Sequence, residues 1–287
     1  MKSHGSRLLV WKAVGVVLIA TLTAPAFAKG PKVDSQDLIT KHLQSIGAPQ
    51  ALVAETNCIA EGTGELRILT GGSGYLKGPL DLVSAGDQTL YVLKFSMPYY
   101  SAEEFGFNGK SAEIGYIQPG QRSTLGTFLF AHKELISEGL LGGVLSTAWP
   151  LRHLDQRHAS LHVRDLKKVG NRELYEVRYQ TKRNSDLTIS LYFDPQTFRH
   201  VMSVYTLEIS AGIVSGIPDA SAFLRERQYR IEEDFDNFQQ FGDLTLPTHW
   251  RLQFSTDAQV TQITQWDMNF NKLSFNQNLS PDVFTMK

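Results

Sequence analysis

The chain has 287 residues, with 28 Lys+Arg against 29 Asp+Glu, a formal net charge of -1 and 42% hydrophobic residues. That length and composition are ample for a packed core without a disulfide or metal staple, and they exclude disordered, collagen-like and coiled-coil chains. Near-neutral charge gives no general pull toward nucleic acid, and one cysteine excludes an internal disulfide, a cysteine-based zinc site and an iron–sulfur centre.

Residues 1–28 predict a signal peptide. Lys2, Arg7 and Lys12 form a basic start, Ala13 to Leu22 an apolar run, and Ala26-Phe27-Ala28 a small-x-small cleavage site. The apolar run is shorter than the ~20 residues of a spanning helix, and no later stretch is long and apolar enough to span. The expectation is a periplasmic protein cleaved after Ala28 and not membrane-spanning. Lys29, not a cysteine, follows the cleavage site, so no lipid anchor is expected. Cys58 lies far downstream in Asn57-Cys58-Ile59-Ala60, where a small buried hydrophobe is the favoured role.

Asp34-Ser35 caps a predicted helix with Leu38, Ile39, Leu43 and Ile46 on one stripe, ended by Gly47. Pro49 to Glu55 adds a further turn. Strands follow. Tyr91, Leu93, Phe95 and Met97 alternate with polar neighbours, as do Leu187, Ile189, Leu191 and Phe193. Leu244, Leu246, Thr248, Trp250, Leu252 and Phe254 form the longest such row, and Trp266, Met268 and Phe270 another. Rows of this period predict antiparallel strands with one apolar face. Turns are expected at Gly71 to Gly74, Gly86-Asp87, Asn108-Gly109, Gly170-Asn171 and Asp194-Pro195. These signals give about ten strands.

One helical island, Leu125 to Trp149, interrupts them. It carries Leu135, Ile136, Leu140, Leu141, Val144 and Leu145, with Gly142-Gly143 in the middle. Glycines there weaken a helix by about 1 kcal/mol each, which predicts two short helices or a helix–loop rather than one rod. No repeat, low-complexity tract or linker divides residues 29–287, so a single domain is expected.

The search for chemistry is negative. There is no Gly-x-Ser-x-Gly elbow, no phosphate-cradling glycine loop and no His-Glu-x-x-His. His153, Asp155, His158 and His162 fall close together, but a solvated loop and strand start is the favoured reading. Glu232-Glu233-Asp234 with Asp236 lacks the pattern of a calcium loop and is read as a solvated strand end. No catalytic residues, metal site or cofactor are expected, and the chain is not expected to be an enzyme.

The apolar inventory is large and the helices that could cover it are few. A well-packed sandwich or closed barrel would bury it; so would a half-closed barrel whose inner face binds something apolar. Periodicity allows both. Candidate groove residues are Leu80, Leu82, Tyr91, Leu93, Phe95, Leu140, Leu141, Leu191, Trp250 and Phe254, with Gly142 and Gly143 as a lid hinge.

Several motifs in order resemble the periplasmic lipoprotein-carrier and sorting family, the LolA/LolB-like superfamily. Phe105-Gly106-Phe107-Asn108-Gly109-Lys110 with Gly115-Tyr116-Ile117-Gln118-Pro119 resembles its hairpin and aromatic strand. The island follows where the family places lid helices. Gly242 to Trp250 resembles its Gly-x-x-x-Pro-x-x-Trp strand, and Leu279 to Phe284 its ending. The carriers' Arg-Pro, whose Arg holds the lid by backbone carbonyls, has no clear counterpart; Leu76 to Leu80 is the comparable stretch, and Lys77 or Arg67 stands nearest. The chain is also longer than a minimal carrier, near 125–155 and near 211–225.

The resemblance implies a mainly β (α+β) fold: an open, curved antiparallel sheet or half-barrel wrapped around short helices, with a helical lid near 123–149. It implies transient binding of acyl chains of lipids or lipoproteins for envelope transport. The alternative is an envelope sensor or scaffold that binds a protein partner with the same fold. Partners would be acyl chains and envelope membrane proteins.

Overall fold

The structure, a computed structural model, describes residues 33–183, 185–210, 227–257 and 260–286. The signal-peptide reading of 1–28, its cleavage site and the segment near 211–225 lie outside the described residues. Within them, no helix is long and apolar enough to cross a membrane.

Two helices lead: α1 (Ser35–Ile46) and α2 (Pro49–Ala54). The Asp34 carboxylate accepts from Gln36 N–H at 3.1 Å and so caps α1 as expected. Five strands follow: β1 (Asn57–Thr70), β2 (Gly74–Ala85), β3 (Gln88–Met97), β4 (Tyr100–Phe107) and β5 (Ala112–Ile114). The helical island then gives α3 (Thr124–Ala131), α4 (Glu134–Ser137), two 3-10 turns at Gly143–Leu145 and Pro150–Arg152, and α5 (Leu154–Arg157). Seven strands complete the chain: β6 (Ser160–Val169), β7 (Arg172–Gln180), β8 (Thr188–Phe193), β9 (His200–Ile209), β10 (Arg227–Phe241), β11 (Leu244–Asp257) and β12 (Gln262–Phe275).

All twelve strands form one antiparallel sheet in the order β5-β4-β3-β2-β1-β12-β11-β10-β9-β8-β7-β6. Each strand pairs with its sequence neighbour except at two places. The first and last strands meet in the middle, where β1 pairs with β12, and β5 and β6 are the two edges of an open sheet. The helical island connects β5 to β6, so the chain must travel from one edge to the other. It does so across one face, here termed the inner face.

The twelve strands among the described residues exceed the expected ten, but the turns fall where the sequence places them. Asn108 Oδ1 accepts from the Lys110 and Ser111 amides, and Gly109 takes a left-handed φ of 88° between β4 and β5. Asp194 Oδ1 accepts from Gln196 and Thr197 amides and closes the β8–β9 turn. The longest apolar row is buried throughout, from Leu244 to Phe254. So is the row Trp266, Met268, Phe270.

The α1 stripe differs by one residue. Leu43 is half-buried and His42 takes the fully buried place. His42 Nε2 accepts from the Trp149 indole N–H at 3.0 Å, which leaves Nδ1–H to donate to Phe198 O at 3.1 Å. Burial lowers its pKa to about 4, so the ring is neutral and joins α1 to the island and to the β8–β9 turn. A second tie is the buried ion pair of Glu55 and Arg152 at 2.8 Å, whose guanidinium also donates to Leu52 O. Cys58 is fully buried, and burial raises its thiol pKa, as a structural cysteine requires.

Candidate functional site

The inner face is occupied by the island itself. Leu135, Ile136, Leu140, Leu141, Val144, Leu145 and Trp149 are all buried in the same core as the strands. A cover resting on the rim of an open cavity would keep one side wet. This segment is instead a plug, apolar on the side that meets the sheet and enclosed by it. It is broken as the glycines predict, but Gly142 and Gly143 do not lie inside an α-helix. They take left-handed φ values of 75° and 51°, Gly142 capping and Gly143 opening the first 3-10 segment.

The space around them is tight. A Cβ on Gly142 would stand 3.0 Å from Tyr91 Cε1, and one on Gly143 would stand 2.9 Å from His200 Nδ1. The left-handed backbone costs a non-glycine residue about 1 kcal/mol at each position. The double variant Gly142→Ala/Gly143→Ala should therefore lose about 2 kcal/mol or more, read as a lower urea midpoint. A stiffened, stabilised helix, which the sequence alone would suggest for such a change, would show that the turn is misplaced.

Three consecutive plug residues are held by side chains of the sheet. Tyr205 on β9 donates to Leu140 O at 3.0 Å. Tyr91 on β3 donates to Leu141 O at 2.5 Å. The Gly142 amide donates to Glu233 Oε1 on β10 at 2.8 Å. Plug residues 140–142 thus have no helix or strand partner for these groups and depend on the latch.

Glu233 is the unexpected member. The run Glu232 to Asp236 is not a solvated strand end: it lies in the middle of β10. Glu233 shares its parity with the buried Ile231 and Phe235, so its side chain enters the core and is fully buried. Period-two counting from Ile231 was the signal that could have found it. Its neighbours do face outward, Glu232 into an ion pair with Arg230, Asp234 into ion pairs with Arg172 and Arg251, and Asp236 into a 2.8 Å contact with His249 Nδ1. Burial raises the Glu233 pKa to about 7, opposed by the Gly142 amide and the Tyr205 hydroxyl. The Trp250 indole N–H points to the same carboxyl without closing a normal hydrogen bond.

The bonds around Tyr205 depend on whether Glu233 holds a proton. Its oxygen lies 2.7 Å from Glu233 Oε2 and 3.0 Å from Leu140 O. Two bonds among three oxygens need two hydrogens, and a phenol supplies one. The second comes from Glu233 when its carboxyl is protonated: Oε2–H donates to Tyr205, and Tyr205 donates to Leu140 O. The ionised carboxylate would take the phenol hydrogen for itself and leave a buried carbonyl unpaired.

Beside the latch lies a small void of about 20 Å³, lined by Leu80, Tyr91, Val92, Leu93, Glu103, Phe105, Leu125, Trp250, Leu252, Trp266 and Met268. It has room for about one water-sized sphere. Of the candidate groove residues, Leu80, Tyr91, Leu93 and Trp250 come together on its wall. Leu82, Phe95, Leu140, Leu141, Leu191 and Phe254 are buried in the same core but do not line it.

Glu103, a second buried carboxyl, has parity with Phe105 on β4 and was equally open to counting. It accepts from Tyr100 and from Ser123 Oγ, the residue that caps α3, and burial raises its pKa to about 7. The remaining candidates disperse. Arg67 and Lys77 pair with Glu65 on the surface and hold no part of the plug. His162 pairs across the sheet with Arg178 on β7, and His158 ends α5.

No family model matches the sequence, and no curated protein matches it. Solved structures similar to this one include a LolA superfamily protein from Nitrosomonas europaea, 13% identical, with 89% of this chain and 99% of that one covered and a TM-score of 0.47. Another is a domain assigned to outer membrane lipoprotein sorting from Vibrio parahaemolyticus, 14% identical, covering 86% and 97%, TM-score 0.44. The likeness is to LolA superfamily proteins. The MucA/MucB complex from Pseudomonas aeruginosa also matches, at 8% identity, 86% and 100% coverage and a TM-score of 0.23.

Proposed function

We propose that this protein binds an acyl chain of a lipid or lipoprotein on the inner face of its sheet, and that the structure is its closed state. One observation carries the reading. The void beneath α3 is walled almost wholly by apolar groups, and the segment beside it is fixed by three side-chain-to-backbone hydrogen bonds rather than by secondary structure of its own. Such a segment can leave without unravelling a helix or strand: the bonds it exchanges count about 1 kcal/mol each, and the larger cost is the apolar surface it uncovers, about 1.5–3 kcal/mol for each of Leu140 and Leu141. Each methylene that took its place would contribute about 0.8 kcal/mol from burial. No bond is made or broken in this activity. Export to the periplasm and handover to an envelope partner belong to the same proposal.

The test is titration with a fluorescent fatty acid, followed by release on dilution. Tyr91→Phe/Tyr205→Phe removes two latch hydroxyls and keeps both rings. This variant should take up and release the probe several-fold faster than the wild type. Absence of binding in both proteins, together with no lipid in native mass spectra of the purified protein, would overturn the reading.

A protein-binding role is favoured by a different observation. The interior is filled, and Tyr99, Tyr116 and Phe130 stand exposed on the surface, with the Arg122 guanidinium 4.2 Å from both the Tyr116 and Phe130 rings. Exposed aromatics with a stacked Arg are residues that interfaces select. Under that reading, substitution of these residues abolishes partner binding and the fluorescent probe never enters.

A further inference from the structure

We propose that His132, Glu134 and Asp186 form a zinc-binding site that ties the α3–α4 corner to the loop before β8. His132 follows α3, Glu134 opens α4, and Asp186 belongs to the β7–β8 connection, so the three meet only through the fold. Their ligand atoms lie within 4.8 Å of one another. His132 Nδ1 stands 3.6 Å from Glu134 Oε1 and 3.5 Å from Asp186 Oδ1.

These separations are too long for good hydrogen bonds, which close near 2.9 Å. They suit a shared ion. Zinc bonds to nitrogen and oxygen of ~2.0–2.2 Å, arranged tetrahedrally, put neighbouring ligand atoms ~3.3–3.6 Å apart. The donor set agrees: one imidazole and two carboxylates, with no thiolate, suit zinc better than magnesium or calcium, which take oxygen.

The surroundings hold the ligands in place. The His132 ring is nine-tenths buried and packs on Phe128 with ring centroids 4.6 Å apart, which limits its rotation. The Ser185 hydroxyl donates to Glu134 Oε1 at 2.8 Å, the kind of outer contact that orients a carboxylate ligand. The group lines an open cleft of about 780 Å³, which gives an ion an entry path and leaves the fourth tetrahedral position to water. Lys133, Lys182 and Arg183 line the same cleft and offset part of the carboxylate charge. Lys133 is turned away over the Phe130 ring.

No sequence pattern marks this cluster. His132-x-Glu134 has a spacing found in many chains, and Asp186 is distant. The more conspicuous run of His153, His158 and His162 is not drawn into such a group among the described residues.

The experiment uses the full mature protein after chelator treatment. Zinc is titrated in competition with a chromophoric chelator, and thermal unfolding is followed with and without zinc. The wild type should bind one zinc ion and melt at a higher temperature with zinc. Asp186→Ala changes a residue whose side chain is two-thirds exposed, so the protein should fold, and it should bind at least ~10-fold more weakly with no zinc-dependent rise in melting temperature. His132→Asn should behave alike. Cobalt in place of zinc should give the visible bands of a tetrahedral ion in the wild type and not in Asp186→Ala. The proposal is overturned if the wild type binds no zinc at micromolar concentration, or if Asp186→Ala binds zinc as tightly as the wild type with the same cobalt spectrum, which would place the ion elsewhere.

Discussion

Trp250→Ala should destabilise the protein by about 3–5 kcal/mol, the range for deleting a buried aromatic side chain. Trp250 is fully buried at the middle of β11 and pairs with Phe235 on β10 and Met268 on β12. Its ring lies 5.8 Å from that of Tyr91 and 6.3 Å from that of Phe235, and its removal would enlarge a void that already exists at its edge. Trp250→Phe is the informative companion. The indole N–H points to the Glu233 carboxyl without closing a normal hydrogen bond, so its loss removes little, and the smaller ring keeps most of the packing. That variant should lose less than about 1.5 kcal/mol. Urea unfolding of the three proteins measures both values. Equal losses in the two variants would mean that the indole N–H, not the ring volume, sets the stability here.

The rows around Trp250 show what one chain of residues can reveal. Alternation from Leu244 to Phe254 identified strand and inward face, because a pleated strand buried on one side leaves a period-two record. The same rule, applied to charged residues, would have placed Glu233 beside Ile231 and Phe235, and Glu103 beside Phe105. The run Glu232 to Asp236 reads instead as a solvated strand end, a rule for charged residues that fails where a core needs a few polar groups to hold an irregular segment. The depth of the island was not legible for another reason. A run such as Leu140, Leu141, Val144, Leu145 is apolar whether it covers a cavity or fills it, and only the path from edge β5 to edge β6 decides between these. Gly142 and Gly143 were visible as a break, but the sequence carries no sign of their φ, which reverses the effect of replacing them with alanine.

Glu233 should make the protein less stable as the pH rises through neutrality. Its folded pKa of about 7 lies above the 4.5 of an ordinary glutamate, so the folded state holds the proton more tightly than the unfolded chain. The contribution is complete below pH 4.5, declines as the pH rises, and is lost above about 7. A shift of this size corresponds to about 3 kcal/mol. Other groups titrate nearby. Glu103 has the same direction and window, whereas His42 and His200 are held neutral by burial and act oppositely, losing stability as the pH falls below 6.5. Asp234, next along β10, is engaged on the other face by Arg172 and Arg251, and Tyr91 and Tyr205 stay protonated because burial raises both. The effect of Glu233 is isolated by Glu233→Gln. A glutamine amide can donate to Tyr205 and accept from Gly142, as the protonated acid does, and it has no proton to lose. Wild type and variant should have similar stability at pH 5. At pH 8 the variant should be the more stable by about 2–3 kcal/mol, measured as the difference in urea unfolding free energy. An unchanged difference at the two pH values would show that Glu233 does not carry the latch proton. If the difference opens as expected, the segment Leu140 to Gly142 is held by a bond network that neutral to alkaline solution loosens, and under the acyl-binding proposal uptake of a fluorescent fatty acid should become faster in the wild type, but not in the variant, over the same interval.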